Sequence, residues 1–317
     1  MLVKVRQFMI ASTEMTRHLI AACLCVFVFA AGCAQEKTPP KSTADTRKPL
    51  LIGLIPEQNI FKQLERYEPL AAYLSEKTGT RVTLKILPRY GNIIDNFKLA
   101  GMDGAFFGSF TYALAHAKLG VEVVARPLAL DNTSTYHGLI FVRKDSGIKT
   151  WRDMKGKRFA FVDKATTAGY LLPMKYFHEN GISDWKKYLL EGYFAGTHED
   201  AIYDVLKKKA DVGAAKNTIF NRLAKTDPWI TKDLVVLGRS PDVPENALAF
   251  RKDIDASLRS RMREALLNMH QDPEGKKVLE QFGARRFIET TNQDYNPVVK
   301  YAEDSHLNLA TYDYIND

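Results

Sequence analysis

The stretch of this sequence with the clearest chemical potential is residues 163–169 (DKATTAG), which follow an apolar run ending at Val162. The pattern predicts a buried strand that leads directly into the first turn of a helix. N–H groups of a first turn have no partner within the helix, and together with the helix dipole they favour an anion. The hydroxyl groups of Thr166 and Thr167 add donors. An alternative, in which one of these threonines only caps the helix, stays open at this point.

Two similar transitions occur earlier in the chain. Residues 88–92 (PRYGN) and 107–109 (FGS) each connect an apolar run to a helical pattern. Tyr90 could donate its phenolic hydroxyl to a ligand, and Ser109 could offer a hydroxyl beside its own N–H. Each also has an ordinary interpretation, Tyr90 as a packing residue and Ser109 as a helix cap. Three such transitions together favour a site for a small anion.

Residue patterns that serve catalysis are missing from the sequence. The seven histidines are scattered without a His-x-x-x-His pair, and no Cys-x-x-Cys, Gly-x-Ser-x-Gly, Walker or dinucleotide glycine motif is present. Cys23, Cys25 and Cys33 all lie near the start, so the rest of the chain has no thiol for a disulfide, a nucleophile or zinc. We therefore expect a binding protein, not an enzyme, with no cofactor and no metal site.

The candidate residues lie within an alternation of strands and helices. Strands are predicted at 50–55, 82–87, 105–107, 121–126, 137–143, 158–162, 188–194, 212–215 and 234–237. Apolar residues at helical spacing separate them, and further helices are predicted at 258–269 and 275–282. This repetition predicts an α/β fold with mostly parallel sheets flanked by helices.

Two segments rich in turn residues, 144–151 and 240–246, flank the second half of this alternation. Because each of these segments would carry the chain from one block of strands and helices to the other, we predict two lobes joined by a two-segment hinge. The first lobe comprises residues 49–143 and 247–317, and the second comprises residues 144–246. A ligand is expected between the lobes, where the carboxyl ends of strands meet the starts of helices.

The first 32 residues have the order of a signal peptide: three basic residues, an apolar run at 19–31, and small residues before Cys33. The run is shorter than the roughly 20 residues that a spanning helix needs. Its end resembles a bacterial lipobox, in which the cysteine is acylated, although Ala30 stands where leucine is usual. An ordinary secretory cleavage site is the alternative.

We expect lipidation of Cys33, followed by a flexible tether over residues 33–48. The protein would then lie in the periplasm or on the outer face of the cytoplasmic membrane, with the outer membrane as a second anchoring surface. Removing residues 1–32 takes away three basic residues and one acid, which changes the formal charge from +8 to +6. The excess is modest and suits a small anion, and we expect no nucleic-acid partner.

Six short motifs follow one another along the chain. They are PRYGNII at 88–94, DGAFFG at 103–108, VRKDS at 142–146, the 163–169 stretch with Pro173, GTHE at 196–199, and DVGAA at 211–215. In order and spacing they resemble the periplasmic binding proteins for phosphonate, phosphite and phosphate that serve ABC importers. The resemblance covers roughly residues 50–287 and implies a two-lobed periplasmic binding protein of type II.

The resemblance also implies how the anion is held. In that family a loop of the form Asp-Pro-x-Ser-Thr-Ser-Gly cradles the phosphorus oxyanion. Residues 163–169 match this loop, with hydroxyl groups kept at Thr166 and Thr167 and the third lost at Ala168. Losing a donor without replacement costs about 1 to 3 kcal/mol, so other residues are expected to compensate.

Four aromatic or imidazole side chains are further candidates, three of them from the resemblance and one from its position. Tyr90 matches a family tyrosine, Phe107 stands where a second tyrosine is common, and His198 matches a histidine that contacts the anion. The alternative for His198 is a surface residue that caps the next helix. Tyr136 precedes the strand that enters the hinge and is expected to form a wall of the cleft.

Lys216 and Asn217, directly after the strand at 212–215, are the candidates for replacement donors, because a lysine charge suits phosphate. Relatives that bind aminoalkyl phosphonates are expected to place carboxylates opposite the ammonium group. The loop 214–218 contains no acid, which weakens that alternative and leaves only Glu57 or Glu199 for the role.

The leading hypothesis is an extracytoplasmic solute-binding lipoprotein of an ABC importer. It would capture phosphonate, phosphite or phosphate as a monomer, close its two lobes around the anion and present the closed form to a membrane permease. One alternative is a sensing module that signals to a membrane receptor. Another is the same fold binding a sulfonate, a carboxylate or a different small anion.

Overall fold

The structure is a computed structural model and describes residues 48–316. The predicted signal peptide, the predicted lipidation of Cys33 and the predicted tether up to residue 47 lie outside these residues. Within the described part of the chain, no helix combines the length and the apolar character needed to cross a membrane.

Strands and helices alternate through the described residues. The strands are β1 (Leu50–Leu54), β2 (Val82–Ile86), β3 (Gly104–Phe107), β4 (Glu122–Ala129), β5 (Thr135–Tyr136), β6 (Gly138–Arg143), β7 (Arg158–Phe161), β8 (Glu191–Phe194), β9 (Val212–Lys216), β10 (Leu234–Arg239), β11 (Val243–Pro244), β12 (Ala247–Phe250) and β13 (Ala284–Glu289). The α-helices are α1 (Ile60–Thr78), α2 (Asn92–Leu99), α3 (Ser109–Leu119), α4 (Leu172–Glu179), α5 (Trp185–Tyr188), α6 (His198–Leu206), α7 (Asn217–Thr226), α8 (Trp229–Asp233), α9 (Ala256–Asn268), α10 (Pro273–Phe282) and α11 (Asn296–Asp304). Every strand and helix range stated above as a prediction overlaps an observed element of the same type.

Helix α1 shows how local sequence sets the ends of these elements. The Asn59 side chain accepts hydrogen bonds from the N–H groups of Phe61 (3.1 Å) and Lys62 (3.3 Å), which caps the first turn. The helix ends at Gly79, whose φ of 62° lies in the left-handed region that glycine adopts without strain. The buried face of α1 then packs against the first sheet; its side chains include Tyr67, Leu70 and Leu74. Each buried leucine stabilises the fold by about 1.5 to 3 kcal/mol.

The two lobes are built on two sheets. The first has the order β13-β4-β12-β3-β1-β2, and the second has the order β10-β6-β9-β7-β8. Strand β1 pairs in parallel with β2 and β3, and β7 pairs in parallel with β8 and β9. Apart from Arg158 at the start of β7, both strands are apolar, as expected for strands covered on both faces.

Both sheets are mixed: most of their strands run in one direction, as the sequence predicted, and three run against it. β12 runs antiparallel to β3 and β4, β13 runs antiparallel to β4, and β6 runs antiparallel to β9 and β10. The register explains β6 and β12: Gly138 pairs with Lys216 at the end of β9, and Ala247 pairs with Phe107 at the end of β3. Each of these strands enters its sheet from the hinge. It therefore starts at the edge where the other strands end and must run in the opposite direction.

The register of β6 shows that the first hinge crossing lies earlier in the chain than the sequence predicted. Residues 138–143 were assigned to the first lobe from the sequence, but their hydrogen bonds place them in the second sheet. The chain crosses before Gly138, where β5 pairs with β11 in a two-stranded antiparallel ribbon. The turn-rich segment 144–151 is instead a connection from β6 towards β7 within the second lobe. Turn residues mark both kinds of connection, so composition could not distinguish them.

The last part of the chain contains elements that the sequence did not predict. Strands β12 and β13 complete the first sheet, and α11 contributes Val298, Tyr301 and Ala302 to the core. The segment after α11 reaches the second lobe: the Tyr312 hydroxyl donates to the Lys164 carbonyl (3.0 Å), and the Asn316 amide donates to Asp163 (2.8 Å). The chain terminus thus ties the first lobe to the loop at 163–169.

Candidate ligand-binding cleft

The ends of strands from both sheets surround one polar cavity between the lobes. Its lining residues are Ile55, Glu57, Tyr90, Gly108, Phe110, Thr111, Tyr136, Thr166, Thr167, His198, Lys216 and Asn246. The lining atoms leave about 10 Å³ between them, close to the least that a single water needs. A larger ligand therefore requires the two lobes to move apart as it enters.

The loop at 163–169 reaches the cavity through Thr166 and Thr167. It is held by its own hydrogen bonds, since the Asp163 carboxylate accepts from the Ala165 N–H (2.8 Å) and the Asp163 carbonyl accepts from the Thr166 hydroxyl (2.6 Å). Residues Thr167–Leu171 form one turn of π-helix that leads into α4. Because Thr166 and Thr167 line the cavity, the start of this turn, which is the positive end of its dipole, lies beside it.

The Thr167 side chain connects the two lobes. Its hydroxyl oxygen accepts hydrogen bonds from the Phe110 N–H (3.1 Å) and from the Tyr136 hydroxyl (3.0 Å). A threonine hydroxyl has two acceptor positions and one proton, so both acceptor positions are used and the proton is available to a ligand. The Thr111 hydroxyl adds a second bridge by donating to the Ala165 carbonyl (2.9 Å).

His198 is a neutral donor at this site. Its side chain is buried in the first turn of α6, and Nδ1 accepts a hydrogen bond from the Lys216 N–H (3.3 Å). Burial lowers the pKa of His198 to about 3; the Lys216 charge adds to this effect and Glu57 opposes it. With Nδ1 accepting, the single proton of the neutral ring lies on Nε2. Thr197, not His198, caps α6 by accepting from the Asp200 N–H (2.9 Å).

Tyr90 has a buried hydroxyl without a partner among the described residues. The side chain lines the cavity and is only 2% exposed. Its ring meets that of His198 edge-on, with 5.8 Å between ring centroids. Burial, with nearby Glu57 and Tyr136 adding to it, raises the pKa of Tyr90 well above its ordinary value, so the phenol keeps its proton. Buried donors are rarely left unpaired, which points to a ligand as the missing acceptor.

Lys216 lies in the cavity wall, but its ammonium group is already paired. Nζ is 3.0 Å from Glu57 Oε1 and 3.0 Å from Asn246 Oδ1, and it also donates to Glu245 Oε1. It lies over the Tyr136 ring, 4.3 Å from the centroid. A lysine has three N–H donors, so this side chain has none left for an oxyanion. The sequence predicted Lys216 as a replacement anion donor; the geometry gives it carboxylate partners instead.

The carboxylate of Glu57 is ionised in this environment. Burial alone would raise the pKa of Glu57, but the charge and hydrogen bond of Lys216, supported by the charge of Arg222, outweigh it and lower the pKa to about 2. With Glu57 and Glu245 negative and Lys216 positive, the three groups sum to −1. Glu57 and Glu199 were the two acids considered from the sequence as partners of a ligand ammonium. Glu57 lines the cavity, whereas Glu199 lies outside the lining and accepts from the Asn59 N–H (2.8 Å).

Three predicted site residues do not line the cavity. Phe107 is buried at the end of β3 and packs near Phe97, with 6.2 Å between ring centroids. The Ser109 hydroxyl donates to the Pro244 carbonyl of the hinge. Asn217 accepts from the His137 N–H (3.0 Å), which joins the start of α7 to the start of β6. These contacts hold the elements that position the cavity.

Thr111, Glu245 and Asn246 were not predicted from the sequence as site residues. Thr111 lies in the first turn of α3, and the available signal was its place two residues after Ser109. Glu245 and Asn246 fall in the segment recognised as hinge, and a hinge beside a ligand cleft is itself a signal that its polar residues face the site. Nothing local to their sequence indicates that Lys216, some 30 residues earlier, is their partner.

Two α/β lobes joined by a two-stranded hinge, with buried donors converging between them, define a solute-binding protein of the periplasmic type. Residues 52–295 match the family described as ABC transporter, phosphonate, periplasmic substrate-binding protein. The chain belongs to this family. Its members are periplasmic substrate-binding proteins of phosphonate ABC transporters and not enzymes, which confirms the predicted class, fold and absence of catalysis.

Individual relatives agree with the family assignment. The phosphonates-binding periplasmic protein of Escherichia coli (strain K12) is 26% identical over 270 residues, covering 83% of this chain and 78% of that protein. The phosphate-import protein PhnD of Mycolicibacterium smegmatis is 26% identical over 216 residues, covering 65% of this chain and 67% of that protein.

Solved structures share the fold at lower identity. A binding protein component of an ABC phosphonate transporter from Pseudomonas aeruginosa has a TM-score of 0.76 and 24% identity, with 82% of this chain and 87% of that chain covered. PhnD1 from Prochlorococcus marinus, in complex with methylphosphonate, has a TM-score of 0.73 and 20% identity, with 82% and 98% covered.

Proposed function

We propose that this protein captures a small phosphorus oxyanion in the cleft and delivers it, as a monomer, to an ABC permease. The observation that carries the proposal is the unpartnered buried hydroxyl of Tyr90. The Thr167 proton and the neutral imidazole of His198 belong to the same cavity, so three uncharged donors and a helix start converge on one small space. The relatives named for phosphonates and phosphate, and the relative that binds methylphosphonate, support the same ligand class.

Isothermal titration calorimetry with phosphite, phosphate, methylphosphonate and 2-aminoethylphosphonate tests the ligand class. We expect saturable heat from at least one of these compounds and none from sulfate or acetate at the same concentration. Absence of heat from all four phosphorus compounds would contradict the proposal. Mass spectrometry of small molecules retained through purification gives an independent identification.

Replacing Tyr90 by phenylalanine is expected to weaken methylphosphonate binding while leaving the fold as stable as before or more so. A hydrogen bond to a charged group contributes about 1.5 to 3 kcal/mol, which corresponds to a loss of affinity of roughly 10- to 100-fold. No described residue bonds this hydroxyl, so its removal breaks no hydrogen bond within the described part of the protein. Calorimetry measures the affinity, and urea unfolding measures the stability.

Tyr112→Phe is the matched control, since its hydroxyl donates to Asn292 Oδ1 (3.2 Å) and neither residue lines the cavity. We expect this variant to lose about 1 kcal/mol of stability and to keep its affinity. If Tyr90→Phe binds methylphosphonate as tightly as the wild type, Tyr90 does not contact the ligand.

We also propose that Cys33 is lipidated and anchors the protein to the outer face of the cytoplasmic membrane. The support is the order of basic residues, apolar run and small residues before this cysteine. Cys33→Ser should abolish incorporation of a palmitate analogue and release the protein into the periplasmic fraction. Incorporation that persists in Cys33→Ser would rule out this anchor, and fractionation on a sucrose gradient distinguishes the two membranes.

A further inference from the structure

The cavity wall includes an ionic cluster that the anion donors do not explain: Lys216 and Glu57 are buried and line the cavity, and Glu245 is partly buried beside it. Lys216 is 3% exposed, and the two carboxylates around it come from different parts of the fold: Glu57 follows β1 in the first lobe, and Glu245 follows β11 in the hinge. Ionised groups are costly to bury, even as a pair, so their presence in a small binding cavity calls for a role.

The cluster has the form of a receptor for a primary ammonium group. Two carboxylate oxygens and the Asn246 amide oxygen accept the three N–H donors of Nζ, and the Tyr136 ring covers it with its face. Oxygen acceptors and an aromatic face are the groups that recognise a ligand ammonium. Here the protein supplies that ammonium itself, from the end of β9.

We propose that Lys216 is a specificity-determining residue that fills the ammonium subsite of the cleft. The ligand is then a phosphorus oxyanion without a cationic substituent, such as phosphite, phosphate or an alkylphosphonate, and zwitterionic aminoalkyl phosphonates are rejected. This inference rests on the proposed function, because it selects among the phosphorus compounds that the cleft would take.

Electrostatics gives the direction of the selection. An incoming ammonium group meets the like charge of Lys216 and finds the acceptors of Glu57, Glu245 and Asn246 already used. Conversely, Lys216 reduces the charge of the cluster from −2 to −1 and so limits repulsion of an anion. Removing the lysine should therefore weaken the binding of anions without an ammonium group and strengthen the binding of ligands that contain one.

The test compares the affinities of methylphosphonate and 2-aminoethylphosphonate by calorimetry in the wild type and in Lys216→Ala. We expect the wild type to bind methylphosphonate at least roughly tenfold more tightly, and the variant to shift the ratio towards 2-aminoethylphosphonate by roughly 10- to 100-fold. Lys209→Ala removes an exposed lysine of the same lobe and should leave the ratio unchanged. Circular dichroism confirms that each variant is folded.

A second variant serves if Lys216→Ala does not fold. Glu57→Gln combined with Lys216→Ala leaves Glu245 as the single charge of the cluster, which keeps the wild-type total of −1, and the same shift towards 2-aminoethylphosphonate is expected. Equal or tighter binding of 2-aminoethylphosphonate by the wild type would overturn the inference and leave the proposed function intact, as would an unchanged ratio in a folded variant. No binding of any phosphorus compound by the wild type would instead overturn the proposed function.

Discussion

Replacing Glu57 by alanine is expected to lower the free energy of unfolding by about 3 kcal/mol at pH 7. The Glu57 side chain is buried and pairs with Lys216 at 3.0 Å. Removing one partner of a buried ion pair costs about 3 to 5 kcal/mol, and the lower end applies here because Glu245 still faces the ammonium group.

The dependence on pH follows from the direction of the pKa shift of Glu57. The pKa of Glu57 is lower in the folded protein than in the unfolded chain, so its contribution is fully present above pH 4.5 and is lost as the pH falls to about 2. The difference in stability between wild type and Glu57→Ala should therefore be largest near neutral pH and should narrow over this window. Urea unfolding followed by circular dichroism at pH 7 and at pH 3 measures it.

His198 adds to the acid sensitivity of the wild type. Its pKa is lowered from 6.5 to about 3, mainly by burial, so the unfolded chain binds a proton that the folded protein does not. Stability is then lost as the pH falls from 6.5 towards 3.

Glu65→Gln, at an exposed position on α1, is the control for Glu57 and should leave stability unchanged. A Glu57→Ala variant as stable as this control would mean that the buried pair contributes nothing to the fold.

Replacing Gly169 by alanine is expected to destabilise the fold by about 2 kcal/mol and to weaken methylphosphonate binding roughly 10- to 100-fold. A Cβ at this position would lie 2.3 Å from Val162 Cβ and 2.4 Å from Val162 Cγ2, well inside van der Waals contact. Valine is stiff at χ1 and the site is buried, so backbone must move, which costs about 1 to 3 kcal/mol. This movement displaces Thr166 and Thr167 at the start of the helix. Their hydrogen bonds to a charged ligand are then lost, which lowers the affinity.

Gly238→Ala is the matched control for this substitution. A Cβ there has ordinary contacts of 3.5 Å or more, to Tyr176 and Ile140, and the position lies in β10, away from the cavity lining. We expect Gly238→Ala to keep both stability and affinity. Equal methylphosphonate affinities of the Gly169 and Gly238 variants would show that the 163–169 loop does not hold the anion.

Many strands and helices could be predicted from the sequence because neighbouring residues determine where they begin and end. Apolar runs located the strands at 50–55 and 158–162. The strand-to-turn pattern at 163–169 likewise located a helix start, since caps and first turns depend on neighbouring residues. Strand direction was not local: β6 and β12 run against their neighbours only because they enter from the hinge.

For the site, the sequence likewise predicted several of the residues that line the cavity but not which partners they have. Tyr90, Tyr136, Thr166, Thr167 and His198 were named from the sequence, and all five line the cavity. What the side chains do there was decided by tertiary structure, because their partners are remote in the chain. Lys216 meets Glu57 across 159 positions and Glu245 across 29, and this pairing turns a predicted anion donor into the occupant of an ammonium subsite. Sequence determined which donors are available, and only folding, which brings distant charges into one poorly solvated space, decided which of them remain free for a ligand.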